Sequence, residues 1–343
     1  MELPETLTVT VRTNLDTVTD SVYGSEYEET TVNIPVTWTS QPEYDMDTEG
    51  EYVFTPVIEG YTANAELPQI TVTVRAAMMR QAFSLVSGDN VAQIGETGYP
   101  TMQEAVDAVA NGQTIQLLKN IVVSEPVSIS GNKSFTLDLN GCVLSKEGVY
   151  KAISHSGSGT LTITDSSSMK SGKITASTAA IVLEEDCSGN LLVIGGTLSI
   201  TSTGHATIYN ESESSQVSIE EGEVTSAHTA IANQSTGSVS VSGGSVKGAN
   251  FGITNQSTGR VSVSDGSVTS AGYAAIFNQS GRVSVSGGSV TSTASDWPAI
   301  YCYHKGSLSI SGTATVTSAN SNPARVDVSF GDLSSPCTLA GQG

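Results

Sequence analysis

The stretch "IANQSTGSVSVSGGSVKGANFGITNQSTGRVSVSDGSVTSAGYAAIFNQSGRVSVSGGSVTS", residues 231–292, writes one phrase three times. An Ile closes a short apolar run, an Asn follows two residues later, Val alternates with Ser, a corner contains Gly, and "SVTS" or a variant comes last. The Ile anchors Ile208, Ile231, Ile253, Ile276 and Ile300 are spaced by 23, 22, 23 and 24 residues. A fixed period of this size, with three short β-type segments per repeat, is the signature of a solenoid whose coils stack on their neighbours.

Side chains along a strand point alternately to opposite faces, so Val239 and Val241 share one face and Ser240 and Ser242 the other. Val261/Val263, Val283/Val285 and Leu308/Ile310 repeat the choice, and Val246, Val268, Val290 and Val316 do so in the last segment. Gly243-Gly244 and Gly287-Gly288 supply the positive φ of a sharp corner. Three strands and three corners in about 23 residues predict an all-β, single-stranded parallel β-helix over 91–343, with about 22–28 residues per coil. Ile153 and Ile181 carry the anchors back into longer coils, whose loops 164–172 and 183–190 are places for function. Right-handedness follows from the preference of parallel crossovers.

Asn210, Asn233, Asn255 and Asn278 fall at one inward corner position of successive coils. Coils lie about 4.8 Å apart, so stacked carboxamides can bond along the axis as a structural ladder. Each of these Asn also opens an Asn-x-Ser sequon, but an inward side chain is out of reach of a glycosyl transferase. Cys302 takes the ladder position in its coil as a buried thiol. Cys142, Cys187, Cys302 and Cys337 have neither zinc nor disulfide-framework spacing.

The chain has 343 residues and a net charge of −20, from 34 acidic and 14 basic side chains. Such a balance argues against nucleic acid and anionic membranes, which select for Lys and Arg clusters. No apolar run is long enough to insert in a membrane. The acidity is uneven: residues 1–75 carry 14 Asp and Glu against Arg12 and Arg75, a net −12, which marks a domain boundary. Alternating stretches at 6–12, 30–40, 50–58 and 69–75 predict a small antiparallel sandwich over 1–75, with Trp38, Tyr52 and Phe54 in its core. Residues 76–90 break the alternation and read as a linker.

"VTW" (36–38), "GEYVFTPVIEGY" (50–61) and "LPQITVTV" (67–74) resemble the bacterial immunoglobulin-like domains of gut Firmicutes surface proteins. That resemblance implies an Ig-like β-sandwich acting as a spacer. In 91–121, Thr101 and Glu104 form a capping box, Ala105, Val106 and Val109 make an apolar stripe, and Asn111-Gly112 ends the helix. A short helix at about 101–110 is thereby placed to cover the open end of the solenoid core. "YPTMQEA" (99–105) followed by "TIQLL" (114–118) resembles the opening of pectate-lyase-like β-helix domains in Firmicutes surface proteins. The resemblance implies a bacterial extracellular, cell-surface location, with signal and anchor outside this segment and adjacent domains in a longer chain.

Enzymes of that superfamily use acidic clusters, or Arg and Lys bases, on one outer face. The corner after the second segment carries Asp165, Glu221 and Asp265 in non-adjacent coils, so no carboxylate pair and no catalytic residue is assigned there. Scattered basic residues, among them Lys247, Arg260 and Arg282, read as surface charge. Three residues before the anchors lie His205, His228, Asn250, Tyr273 and Trp297; one after lie Tyr209, Phe277 and Tyr301. Tyr273, Phe277, Trp297, Tyr301, Tyr303 and His304 thus gather near the C-terminal coils as a candidate ligand-binding face. Aromatic faces beside hydroxyls and amides suit sugar rings. His205 and His228 lack a third ligand, so no metal and no cofactor is implied. The expected function is a non-catalytic surface or adhesion module recognising host or dietary glycans or surface proteins; the alternative is a polysaccharide lyase or glycoside hydrolase.

Overall fold

The computed structural model describes residues 3–4, 6–14, 27–44, 50–58, 60, 67–74, 90–148, 151–200, 205–304, 306–320, 327–330 and 338–341. They fall in two compact units, Met1–Leu85 and Val86–Gly343. Apart from Asn90, the linker expected at 76–90 lies outside the described residues, as does Cys337.

In the first unit Thr6–Asn14 pairs antiparallel with Tyr27–Pro35, and Thr37–Gln41, Gly50–Val57 and Ile70–Val74 form a second antiparallel sheet. Tyr52 and Phe54, two residues apart on one face, are buried, and the ring of Tyr44 packs 5.2 Å and 5.4 Å from theirs. Trp38, expected beside them, is only half-buried. Its indole N–H donates to the Pro4 carbonyl at 2.8 Å, which holds the ring's polar edge at the rim.

The second unit is a parallel β-solenoid of about eight turns with one short helix. Nine strands, from Val127–Ile129 to Val328–Phe330, stack in parallel along one side. The anchors align without slip: Ile153, Ile181, Ile208, Ile231, Ile253, Ile276 and Ile300 pair in series between Val127 and Val328. The other segments form a 17-stranded sheet. There the alternation puts Val239, Val241, Val246 and their counterparts Val261, Val263 and Val268 in one continuous core with the anchors. Each such fully buried aliphatic side chain contributes roughly 1.5–3 kcal/mol.

The corner between the second and last segments differs from a simple break. In the central turns they are one continuous bent strand of 11 residues, as in Ser238–Gly248 and Arg260–Ser270. In later turns they are separate, as in Arg282–Val285 and Ser289–Ser292. Pairing between neighbouring turns continues through the bend with a register shift at Ser242. The second glycine makes the bend, Gly244 having φ 62°. Gly243 is there for a different reason: a Cβ on it would meet the Glu220 carbonyl oxygen at 1.9 Å, so the turn below leaves no room for a side chain.

The helix Met102–Ala108 begins at Thr101, whose side chain accepts from the Glu104 amide. Met102, Ala105, Val106 and Val109 are buried in the solenoid core. Beside it the hairpin Ala92–Ile94/Thr97–Tyr99 pairs antiparallel with Thr114–Leu117. Helix and hairpin together cover the first turn, where a parallel stack would otherwise expose core and unpaired amides.

Candidate functional site

The face that gathers polar and aromatic side chains is the outer side of the nine-stranded sheet. In each repeat two consecutive residues are buried, a small residue and then the anchor: Ala230-Ile231, Gly252-Ile253, Ala275-Ile276 and Ala299-Ile300. The small residue is required by crowding, since a Cβ on Gly252 would already stand 2.7 Å from the Ala275 carbonyl oxygen and from Val268 Cγ1. Beyond the anchor the turns differ: Val182, Ala232 and Thr254 are buried. Tyr209, Phe277 and Tyr301 are half-buried, the next residue is buried at the corner, and Glu184, Glu211, Gln234, Gln256, Gln279 and Tyr303 follow at least partly accessible.

At the inward corner the four Asn carboxamides are fully buried. Asn210 donates to Asn233 at 2.9 Å, Asn233 to Asn255 at 2.8 Å and Asn255 to Asn278 at 2.8 Å. The second N–H of each donates to a carbonyl of its own turn, of Ser215, Gly237, Gly259 and Gly281 respectively. The series ends on the Cys302 sulfur, 3.9 Å from Asn278 Nδ2. At its start Asn210 Oδ1 is buried without a partner, because Leu183 occupies the corner one turn earlier.

On the outer side the six candidate aromatic residues form one connected run of rings. Tyr273 stands 5.1 Å from Trp297, Trp297 5.4 Å from Tyr301, and Tyr301 5.7 Å from Phe277 and 6.2 Å from Tyr303, which touches His304 at 3.9 Å. Phe251 and His228 extend the run toward the N-terminus. The Phe251 ring is 5.0 Å from Tyr273, 5.7 Å from Phe277 and 6.4 Å from His228. Sequence reasoning missed Phe251 because it carried strict alternation through the anchor; the small residue before each Ile was the available signal that alternation breaks there.

Ring orientation limits what this run can do. Phe251 and Tyr273 are nearly parallel, at 15°, as are Phe277 and Tyr301, at 21°. Parallel rings with such close centroids overlap in offset stacks, so part of each aromatic face is spent on its neighbour. Trp297 breaks the pattern, standing at 89° to Tyr273 and 70° to Tyr301. Beside the touching rings of Tyr273, 38% exposed, and Trp297 lies a shallow cleft of about 360 Å³, rimmed by Asn250, Ser295 and Asp296. This is where aromatic surface and polar groups meet.

Lower on the same face is a carboxylate pair that the corner count did not reach, because it stands three residues after the anchors Ile181 and Ile208. Glu184 is held by an ion pair with Lys151 and accepts the Ser154 hydroxyl at 2.5 Å. Glu211 follows one turn later, its amide donating to the Leu183 carbonyl at 2.9 Å. Burial raises the Glu211 carboxyl above the ordinary range, and the Glu184 charge raises it further; Lys151 works against both. A carboxyl whose pKa burial raises, beside a second carboxyl, is acid–base equipment in principle.

Several other titratable groups are consumed by the fold. Asp165, one of the corner acids, is fully buried. Burial pushes its carboxyl up, but amide donors from Gly172, Gly141 and Ser167 outweigh this and hold it below the usual range. Asp138 accepts from Asn140, Ser166 and Gln116. The Cys142 thiol is pushed up by burial and then by the charges of Asp165 and Asp138. His155 is buried between the Gly159 carbonyl at 2.9 Å and the Gly157 amide at 3.2 Å, and burial lowers its pKa. His228 bonds Thr229, and among the described residues no three His, Cys, Asp or Glu side chains converge on a metal position.

No protein-family model, curated protein or solved structure matches the chain. The fold and this face define it as a parallel β-solenoid with an aromatic strip beside a stacked amide core.

Proposed function

We propose that this chain is a non-catalytic recognition module displayed outside a bacterial cell, which takes a glycan segment in the cleft beside Tyr273 and Trp297. The observation that carries the reading is that cleft: aromatic walls for the C–H face of a sugar, and carboxamide, hydroxyl and carboxylate groups at the rim for its hydroxyls. Phe277, Tyr301 and Tyr303 back the walls by stacking, and His304 packs tilted against Tyr303. In this reading residues 1–75 are an immunoglobulin-like spacer, 76–90 a linker, and 91–343 a right-handed, pectate-lyase-like helix of three segments per coil. Host or dietary glycans are its partners, and further domains anchor it to the surface. No described helix is long and apolar enough to cross a membrane.

A glycan array on the intact chain, beside Tyr273→Ala and Trp297→Ala, tests the proposal. Binding that disappears in both variants supports it; binding indifferent to both overturns it. The Glu184/Glu211/Lys151 group favours a second reading, a polysaccharide lyase or glycoside hydrolase. Depolymerised product lost in Glu211→Gln would establish that reading in place of the first.

A further inference from the structure

The 17-stranded sheet carries a feature that the proposed cleft does not use. Arg260 and Arg282 begin the second segment of successive turns and are paired directly in the parallel register. Both are exposed. Their turns stack about 4.8 Å apart, so two guanidinium groups rise side by side from adjacent rungs. Like charges directly opposite on a sheet are destabilising, and the neighbouring turns carry Ser238 and Ser307 at the same position, so the stack itself does not need cations there. Among the described residues no ion pair holds either side chain. They border an open cleft of about 350 Å³ whose other lining includes Gln216, Ser238, Ser262 and Ser284, with no acidic residue in it.

We propose that Arg260 and Arg282 form an anion-binding site for a single carboxylate or sulfate group carried on a saccharide, with Ser262 and Ser284 as the hydroxyl floor. Planar guanidinium groups present paired N–H donors that match the oxygens of either anion. The net charge of −20 selects the ligand further. A polyanion lying along the solenoid would meet repulsion over its whole length, whereas one isolated acidic substituent is screened from distant carboxylates beyond about 10 Å at 0.1 M salt. The saccharide as carrier rests on the recognition reading above; the anion site itself does not.

The test is calorimetric titration of the full chain with methyl glucuronoside, glucose 6-sulfate and methyl glucoside. Wild type, Arg260→Gln, Arg282→Gln, the double variant, Arg282→Lys and Trp297→Ala are compared, with far-UV circular dichroism confirming the fold of each. Acidic sugars bind, each single Gln variant weakens them about tenfold through loss of one charge-assisted pair, and the double variant abolishes binding. Arg282→Lys keeps the charge but not the fork and falls between. Preference between the two acidic sugars identifies carboxylate or sulfate. Trp297→Ala leaves this binding intact, so failure of the aromatic cleft and failure of the arginine pair are read separately. Equal affinity for acidic sugars in wild type and the double variant, or affinity for methyl glucoside that matches theirs, overturns the proposal.

Discussion

Replacing Asn255 by Ala interrupts the buried amide series in its middle, and the structure sets what that costs relative to its end. Asn255 donates to Asn278 Oδ1 and the Gly259 carbonyl and accepts from Asn233. The Gly259 carbonyl keeps the Arg282 amide at 3.0 Å, so it is not orphaned. Asn278 Oδ1 and one N–H of Asn233 are left buried without partners. At about 1–3 kcal/mol for each orphaned group, the loss is roughly 2–6 kcal/mol before any cavity term. Asn278→Ala orphans only one N–H of Asn255, because its other axial partner is the weakly accepting Cys302 sulfur and the Gly281 carbonyl keeps the Ser307 amide. Its cost is roughly 1–3 kcal/mol by the same rule. Urea unfolding followed by circular dichroism ranks the two variants. Hydrogen exchange at Gln256 and Gln279, whose amides bond the Asn233 and Asn255 carbonyls, reports local opening in a stack that need not unfold in one step. Equal losses in the two variants, or a loss below about 1 kcal/mol for Asn255→Ala, would refute the argument that unpaired amides dominate.

Two further outcomes follow from the buried titratable groups. Asp165 has its pKa depressed in the fold, so the stability it contributes is present above the ordinary aspartate range and lost as pH falls through the folded value. Acid unfolding monitored by circular dichroism therefore includes a phase that Asp165→Asn removes. The same variant costs roughly 1.5–3 kcal/mol at neutral pH, because its amide group faces N–H donors. His155, with its pKa lowered by burial, stays neutral in the fold while an unfolded imidazole begins to charge near pH 6.5, so stability declines as pH drops below that value. Imidazole ¹⁵N shifts taken through this range show a neutral ring with the proton on Nε2; a ring that charges at the ordinary pKa contradicts the assignment.

The solenoid was legible because the same residue types return at the same place in each turn, and a period is a statement about neighbours. The anchor Ile column, the Val faces and the Gly corner each satisfy a constraint that every turn repeats. What was not legible arises where a residue's role depends on backbone geometry that alternation does not encode. Phe251 joins the ring run because Gly252 and Ile253 are both buried, and Glu184 meets Lys151 and Ser154 only once unequal loops have been folded away. The continuous bent strands escaped notice because a glycine pair looks the same in sequence whether backbone pairing stops there or passes through with a shifted register. In the first unit, alternation marked Tyr52 and Phe54 as buried but could not show that the Trp38 indole would turn to the Pro4 carbonyl.

The stacked amides have a polarity with a consequence for how the chain can change length. Every rung hands its N–H upward and receives from below, so any rung can follow any other without altering the joint. Excision of Gln234–Asn255 would splice Asn233 directly to Gln256, restoring the Asn-Gln-Ser-Thr-Gly tract that both turns already contain. The shortened molecule would keep the amide series, with Asn233 donating to Asn278, while Asn250 and Phe251 would leave the outer face. For the amide series, whole-turn duplication or loss is thus a nearly neutral edit, so the height of the stack is not fixed by the ladder that runs through it.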